Sequence, residues 1–188
     1  QIISKDISSG LDIGSLCFRF PPEPNGYLHI GHAKAIGLNF GLGLQYEAPV
    51  YLRFDDTNPA AEEQEFVDAI KNDISWLGYR WKKITYSSDN FDQLYEWALY
   101  LISIEKAYVD SQTSEEIASQ KGTPTTPGQN SPFRNRSVEE NTSLFVKMKE
   151  GKVKEGEHVL RAKIDMSNAN MLMRDPVIYR VLNKAHHR

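Results

Sequence analysis

Short apolar runs and longer segments with helical spacing take turns along the first part of this chain. Leu16, Cys17, Phe18 and Phe20 form one run, which reads as a buried strand and stops at Pro21-Pro22. Ile30 to about Tyr46 has the length and content of a helix, although Gly37, Gly41 and Gly43 weaken it. Those glycines are expected to permit close packing of helix on sheet. Val50 to Phe54 is a second strand, closed by Asp55-Asp56. Phe66, Val67, Ile70, Ile74 and Leu77 recur on one helical face. That helix is expected to open at Asn58-Pro59, with Glu62 and Glu63 in its first turn, and to end at Gly78. Residues 1–13 show no sustained pattern and read as a flexible arm.

Strand, helix, strand, helix implies a parallel sheet with crossovers. Residues 14–88 are therefore expected to form the first half of a doubly wound, Rossmann-like α/β domain. From residue 89 the pattern changes to a separate α+β module, running to residue 188. It holds a helix from Asn90 to Glu105, a short strand from Ala107 to Asp110 and two helices announced by capping boxes. The boxes are Thr113-Ser114-Glu115-Glu116 and Ser137-Val138-Glu139-Glu140; the Pro- and Gly-rich stretch before the second, 122–136, is a loop. Val159 to Met166 and Met171 to Leu182 read as strands that pair with each other.

The chain of 188 residues is 40% hydrophobic, enough for a real core. Cys17 is the single cysteine, which rules out an internal disulfide and suits a reducing, cytoplasmic setting. No apolar run is long enough for a membrane span and no secretory signal opens the chain. Starting at Gln1, it looks like a piece of something longer. The net charge of −3 conceals a division. Residues 1–120 carry 9 Lys/Arg against 18 Asp/Glu, while residues 121–188 carry 13 against 7. Such asymmetry suggests that the second part meets a polyanion. In Ser131-Pro132-Phe133-Arg134-Asn135-Arg136 an aromatic lies among basic and polar groups, which suits base stacking with phosphate contact.

Candidate chemistry concentrates in Phe20-Pro-Pro-Glu-Pro-Asn-Gly-Tyr-Leu-His-Ile-Gly-His32. A strand, a loop and a helix start make a phosphate site in a doubly wound sheet. Here two histidines three residues apart replace a Gly-rich fingerprint. His29 and His32, read as one face of the first turn, would stand beside unpaired amides and the positive end of the helix dipole. Gly31 between them would let a flat base lie on the backbone, and Gly26 would supply a positive φ to the turn. Asp55 ends the second strand, where open α/β sheets bind ligands, and Arg19 ends the first. His186 and His187 are adjacent and cannot face one direction, so no metal site is expected.

The His29-Ile30-Gly31-His32 tetrapeptide resembles the signature of the class I aminoacyl-tRNA synthetases. Arg19 to Leu28, Leu52 to Pro59, Tyr86 to Asp89, Asn130 to Asn141, Leu160 to Met166 and Arg174 to Arg180 look like the glutaminyl/glutamyl branch, on its glutaminyl side. This resemblance covers nearly the whole chain from Cys17. It implies activation of glutamine by ATP with Mg²⁺, then transfer to the terminal ribose of tRNA(Gln), by a monomer. It implies ATP contacts from Glu23, Pro24, Asn25, Gly26, His29, Ile30, Gly31, His32, Ala33, Lys34 and Ala35, with His29 and His32 catalytic. Asp55 and Arg19 would hold the amino acid. The module from 89 would be an insertion gripping the tRNA acceptor stem, with Phe133, Arg134, Arg136 and Lys163 as contacts. Lys147-Met148-Lys149 is similar to part of the family's second signature but lies within an amphipathic helix, so that signature is taken as absent. The glutamyl side of the branch shares the first signature, and small-molecule nucleotidylyltransferases use a similar H-x-x-H site; both remain alternatives.

Overall fold

The computed structural model describes residues 2–186. His187 and Arg188, considered above as half of a histidine pair and as a basic residue, lie outside the described residues. The chain divides into two compact units. One comprises the residues up to Phe91 with a return segment from Ala185, and the other is Asp92–Lys184.

The first unit opens with a helix, α1 (Ile2–Ser8), where a loose arm was expected. None of its residues is buried, and it is closed by the Leu11 amide donating to the Asp6 carbonyl at 3.0 Å. The Ser4 hydroxyl meets the Tyr46 hydroxyl at 3.2 Å, a tether that no local pattern announces. Strand β1 (Phe18–Phe20) is followed by α2 (Ile30–Gln45), β2 (Val50–Phe54), α3 (Gln64–Trp76) and β3 (Lys83–Tyr86). The three strands are parallel in the order β1-β2-β3, with Phe18 opposite Val50 and Tyr51 opposite Lys83. Strand β3 was not foreseen; Lys-Ile-Thr-Tyr is too short and too polar to declare itself, and pairing with β2 makes it a strand.

Alternation along the strands sorts the side chains by face. Phe20, Val50, Leu52 and Phe54 are buried on one face with Ile36 and Phe40 of α2 and Val67, Ile70 and Ile74 of α3. Both crossover helices therefore cover the same face. The other face displays Arg19, Tyr51, Arg53, Lys83 and Thr85, none of them buried. This is half of a Rossmann-type fold. Of Gly37, Gly41 and Gly43 in α2, Gly43 alone is demanded by packing: a Cβ there would stand 2.3 Å from Val50 Cγ2, whereas Gly41 has nothing within 4 Å.

Helix α3 starts later than expected. Asn58 closes a turn on itself, accepting the Ala60 amide on its side chain and the Ala61 amide on its carbonyl. Glu62 joins that turn by accepting the Asn58 amide at 2.6 Å, so helical geometry begins only at Gln64. Gly78 ends the helix at φ +85°, as the sequence suggests.

The second unit contains α4 (Phe91–Ser103), β4 (Ala107–Asp110), α5 (Ser114–Gln120), α6 (Val138–Lys149), β5 (Val159–Ala162) and β6 (Val177–Arg180). Its antiparallel sheet has the order β4-β5-β6. Tyr95, Ala98 and Ile102 from α4 and Phe145 and Met148 from α6 pack on Ala107, Val109 and Leu160. Thr113 and Glu116 make the full capping box; at Ser137 only the serine half forms, accepting the Glu140 amide. Strands β5 and β6 are shorter than their apolar runs. Asp165 accepts the Ser167 amide and hydroxyl in a tight turn, and Met171–Met173 coil into a single 3-10 turn. Among the described residues no helix is long and apolar enough to cross a membrane.

Candidate active site

The loop after β1 is shaped by its prolines and pinned to the next crossover. Pro22 and Pro24 are buried, and their fixed φ keeps this stretch out of helix until residue 30. The Asp55 amide donates to the Pro22 carbonyl at 2.9 Å, and the Glu63 amide to the Pro24 carbonyl at 3.3 Å. The Tyr27 hydroxyl donates to the Glu65 carboxylate, and its ring meets Phe66 edge-on at 5.2 Å. The signature loop is thereby held beside the C-terminal end of β2. Gly26 does not take the expected positive φ: with prolines fixing the chain around it, the segment is an open bend, not a tight reversal.

The histidines are arranged differently from two neighbours on a first turn. His29 is the N-cap of α2, in extended geometry (φ −131°, ψ 177°) outside the helix proper. Its Nδ1 accepts the Gly31 amide at 3.1 Å, and His32 Nδ1 accepts the His29 amide at 3.1 Å. Two histidines thus make the reciprocal cap that Ser/Thr and Glu usually make. Their ring centroids are 4.0 Å apart, so the pair does converge. Gly31 is needed for this, because a Cβ on it would lie 2.8 Å from His29 Cε1. The space over Gly31, expected to suit a flat base, is covered by the His29 ring. Partial burial, and next the proximity of His29, push the His32 imidazole below its ordinary proton affinity.

The rest of the anticipated nucleotide segment is mixed. Glu23, Asn25, Ile30 and Lys34 are exposed, Ile30 at 86%. Ala33 is half-buried, and Ala35, also half-buried, packs against the core. Asp55 is exposed directly after β2, and Arg19 is exposed on β1, on the sheet face opposite the helices. Asp56 is buried and accepts the Ser88 amide at 2.9 Å and the Ser88 hydroxyl at 2.6 Å, across 32 residues of chain.

Sequence reasoning missed the buried group around Asp56. The His186 Nε2–H donates to the Asp56 carbonyl at 2.7 Å and stands 3.9 Å from Glu62 Oε2. Burial pushes the Glu62 carboxyl up, against the Asn58 hydrogen bond that favours its charge. No periodicity marks residues so far apart in the chain.

In the second unit the expected RNA contacts are largely turned inward. Arg134 is paired with Asp175 at 2.7 Å, and Asp175 is fully buried. Arg136 donates to the Val109 carbonyl at 2.8 Å and to Ser111, pairs with Glu140 at 3.0 Å and stacks on Phe133 at 4.1 Å. Lys163 donates to Asn135 at 3.2 Å. Spacing identified the aromatic–basic cluster, but folding directs its cations to carbonyls and carboxylates of the same unit.

A parallel half-sheet followed by a paired-imidazole helix start defines a Rossmann-type α/β arrangement, and comparison narrows the class. Residues 15–188 match the family described as tRNA synthetases class I (E and Q), catalytic domain. The chain is 54% identical over 187 residues to a glutamine–tRNA ligase of Pseudomonas syringae, covering 99% of this chain and 33% of the relative. It is 56% identical over 188 residues to that of Cronobacter sakazakii, covering 100% of this chain and 34% of the relative. A glutamate tRNA ligase of Elizabethkingia meningosepticum, solved in complex with its amino acid, shares the fold with a TM-score of 0.62 at 20% identity, over 88% of this chain and 38% of that one. The chain belongs to the glutamine/glutamate class I aminoacyl-tRNA synthetases. It spans about a third of the length of these curated relatives.

Proposed function

We propose that this chain is the N-terminal portion of a cytoplasmic, monomeric glutamine–tRNA ligase. In the parent reaction the glutamine carboxylate attacks the α-phosphorus of ATP, pyrophosphate leaves, and the adenylate then acylates the terminal ribose of tRNA(Gln). The observation that carries this is the converged His29–His32 pair at the start of α2, within a chain 54–56% identical throughout to enzymes of that name.

The chain's part is to position and to stabilise charge. His29 and His32 donate to phosphate oxygens as charge grows there, assisted by the positive end of α2. Glu23, Pro24, Asn25 and Gly26 wall the nucleotide, with Ile30 to Lys34 beneath it. Asp55, exposed at the crevice end of β2, receives the α-ammonium group in a charge-assisted bond, and Arg19 holds the far end of the amino acid. Mg²⁺ would supply charge neutralisation at the phosphates. Among the described residues no group of three His, Cys, Asp or Glu is placed to hold a metal ion.

The second unit is proposed as the insertion that grips the acceptor stem. With Arg134 and Arg136 committed internally, their role is to hold the RNA-facing surface in shape, and Phe133 serves as the platform under Arg136. Lys163 is the member of the predicted set nearest to solvent-facing duty.

Aminoacylation by the full-length protein tests the reading. Glutamine is expected on tRNA(Gln), and Asp55→Asn is expected to raise the glutamine KM by at least tenfold. Charging with glutamate in preference to glutamine would move the protein to the glutamyl side. ATP turnover on a small acceptor with no tRNA requirement would favour a nucleotidylyltransferase.

A further inference from the structure

The reciprocal bonding of the two histidines identifies the proton on each ring. A backbone N–H can only donate, so a ring nitrogen that receives one carries no proton. Nδ1 is the receiving atom in both His29 and His32. A neutral imidazole has one proton, which is thereby left on Nε2, the nitrogen at the far side of the ring from the capped amides.

We propose that His29 and His32 are two-sided groups. Through Nδ1 each caps the start of α2, and the cap locks both rings as Nε2–H donors directed into the crevice. The second half rests on the function proposed above; the cap and the tautomer do not. Ser/Thr-Glu caps satisfy the same amides but would leave no donor facing outward. Gly31 belongs to the device, since any side chain on it collides with the His29 ring and breaks the bond to its own amide. The 4.0 Å ring separation follows as well: each imidazole reaches back to an amide beside the other. Proton uptake at either Nδ1 abolishes that nitrogen's ability to accept, so the cap and the neutral donor pair are lost together.

Asparagine and glutamine separate the two sides in the full-length protein. Asparagine places an acceptor oxygen near the position of Nδ1 and nothing near Nε2; glutamine reaches the Nε2 position and leaves the amide uncapped. His29→Asn and His32→Asn are expected to unfold within about a degree of the parent while ATP Kd rises at least tenfold. His29→Gln and His32→Gln are expected to unfold about 2–4 °C lower, the effect of losing a cap in a unit of this size. Gly31→Ala should match the glutamine variants in unfolding. Long-range ¹⁵N spectra of histidine-labelled protein should show both Nδ1 atoms unprotonated. Protonated Nδ1 atoms, or equal unfolding of Asn and Gln variants, would overturn the cap. Unchanged ATP affinity in the asparagine variants, with their unfolding as expected, would instead overturn the phosphate-donor role and leave the cap standing.

Discussion

A helix capped by histidine is sensitive to pH in a way that one capped by serine is not. The His32 imidazole is pushed below its ordinary value of 6.5, chiefly by burial, so the folded chain takes up that proton later than the unfolded one. Its contribution to stability is complete above about 6.5 and is lost as pH falls through the lower folded value. Urea unfolding at pH 7.5 and 5.5 should therefore show a steeper loss for the parent than for His32→Asn. Charge burial matters more in the second unit. Arg161, 1% exposed, pairs with Asp110 at 2.8 Å and donates to the Asp175 carbonyl at 2.7 Å. Removing one partner strands the other in the interior, so Asp110→Ala is expected to cost about 3–5 kcal/mol by denaturant unfolding. The residue types at the candidate site were legible because His-x-x-His in a proline-bounded loop is rare in form. Their bonding was not, since which nitrogen meets which amide depends on the extended backbone at His29.

Among the elements, α2 links sequence and packing most directly. It is apolar on nearly every side and bears four glycines, of which Gly37, Gly41 and Gly43 in its interior are treated alike by local preference. The fold treats them differently. Gly43→Ala is expected to cost about 1–3 kcal/mol through collision with Val50, while Gly41→Ala should stabilise by up to about 1 kcal/mol through helix propensity; thermal unfolding checks both. Helical and strand-like segments with strong periodicity, such as α3, α4 and β2, were readable because burial of one face imposes the period. Strand β3 and helix α1 were not. The first is a strand by virtue of its neighbour β2, and the second is a short exposed helix with almost no tertiary support. The start of α3 was displaced for a similar reason: the turn at Asn58, closed by Glu62, outcompetes the proline signal.

At the scale of the whole molecule the half-sheet has a mechanical consequence. A parallel sheet is ordinarily covered on both faces, and here both helices lie on one, leaving Arg19, Tyr51 and Arg53 on the other. With about a third of its relatives' length, a polypeptide of these 188 residues is expected to bind ATP weakly and to show no glutamine-dependent ATP–pyrophosphate exchange, even with tRNA present. Detectable exchange by this polypeptide would contradict that expectation. The amino-acid order by itself determined the two regimes of periodicity, the position of the proline-bounded loop before α2 and the family, because these depend on spacing within a few residues. Tertiary structure alone decided the inward commitment of Arg134 and Arg136, the buried Asp56–Glu62–His186 group and the covering of Gly31 by His29. Each of those turns on partners that meet in space by burial and backbone geometry, which no local spacing encodes.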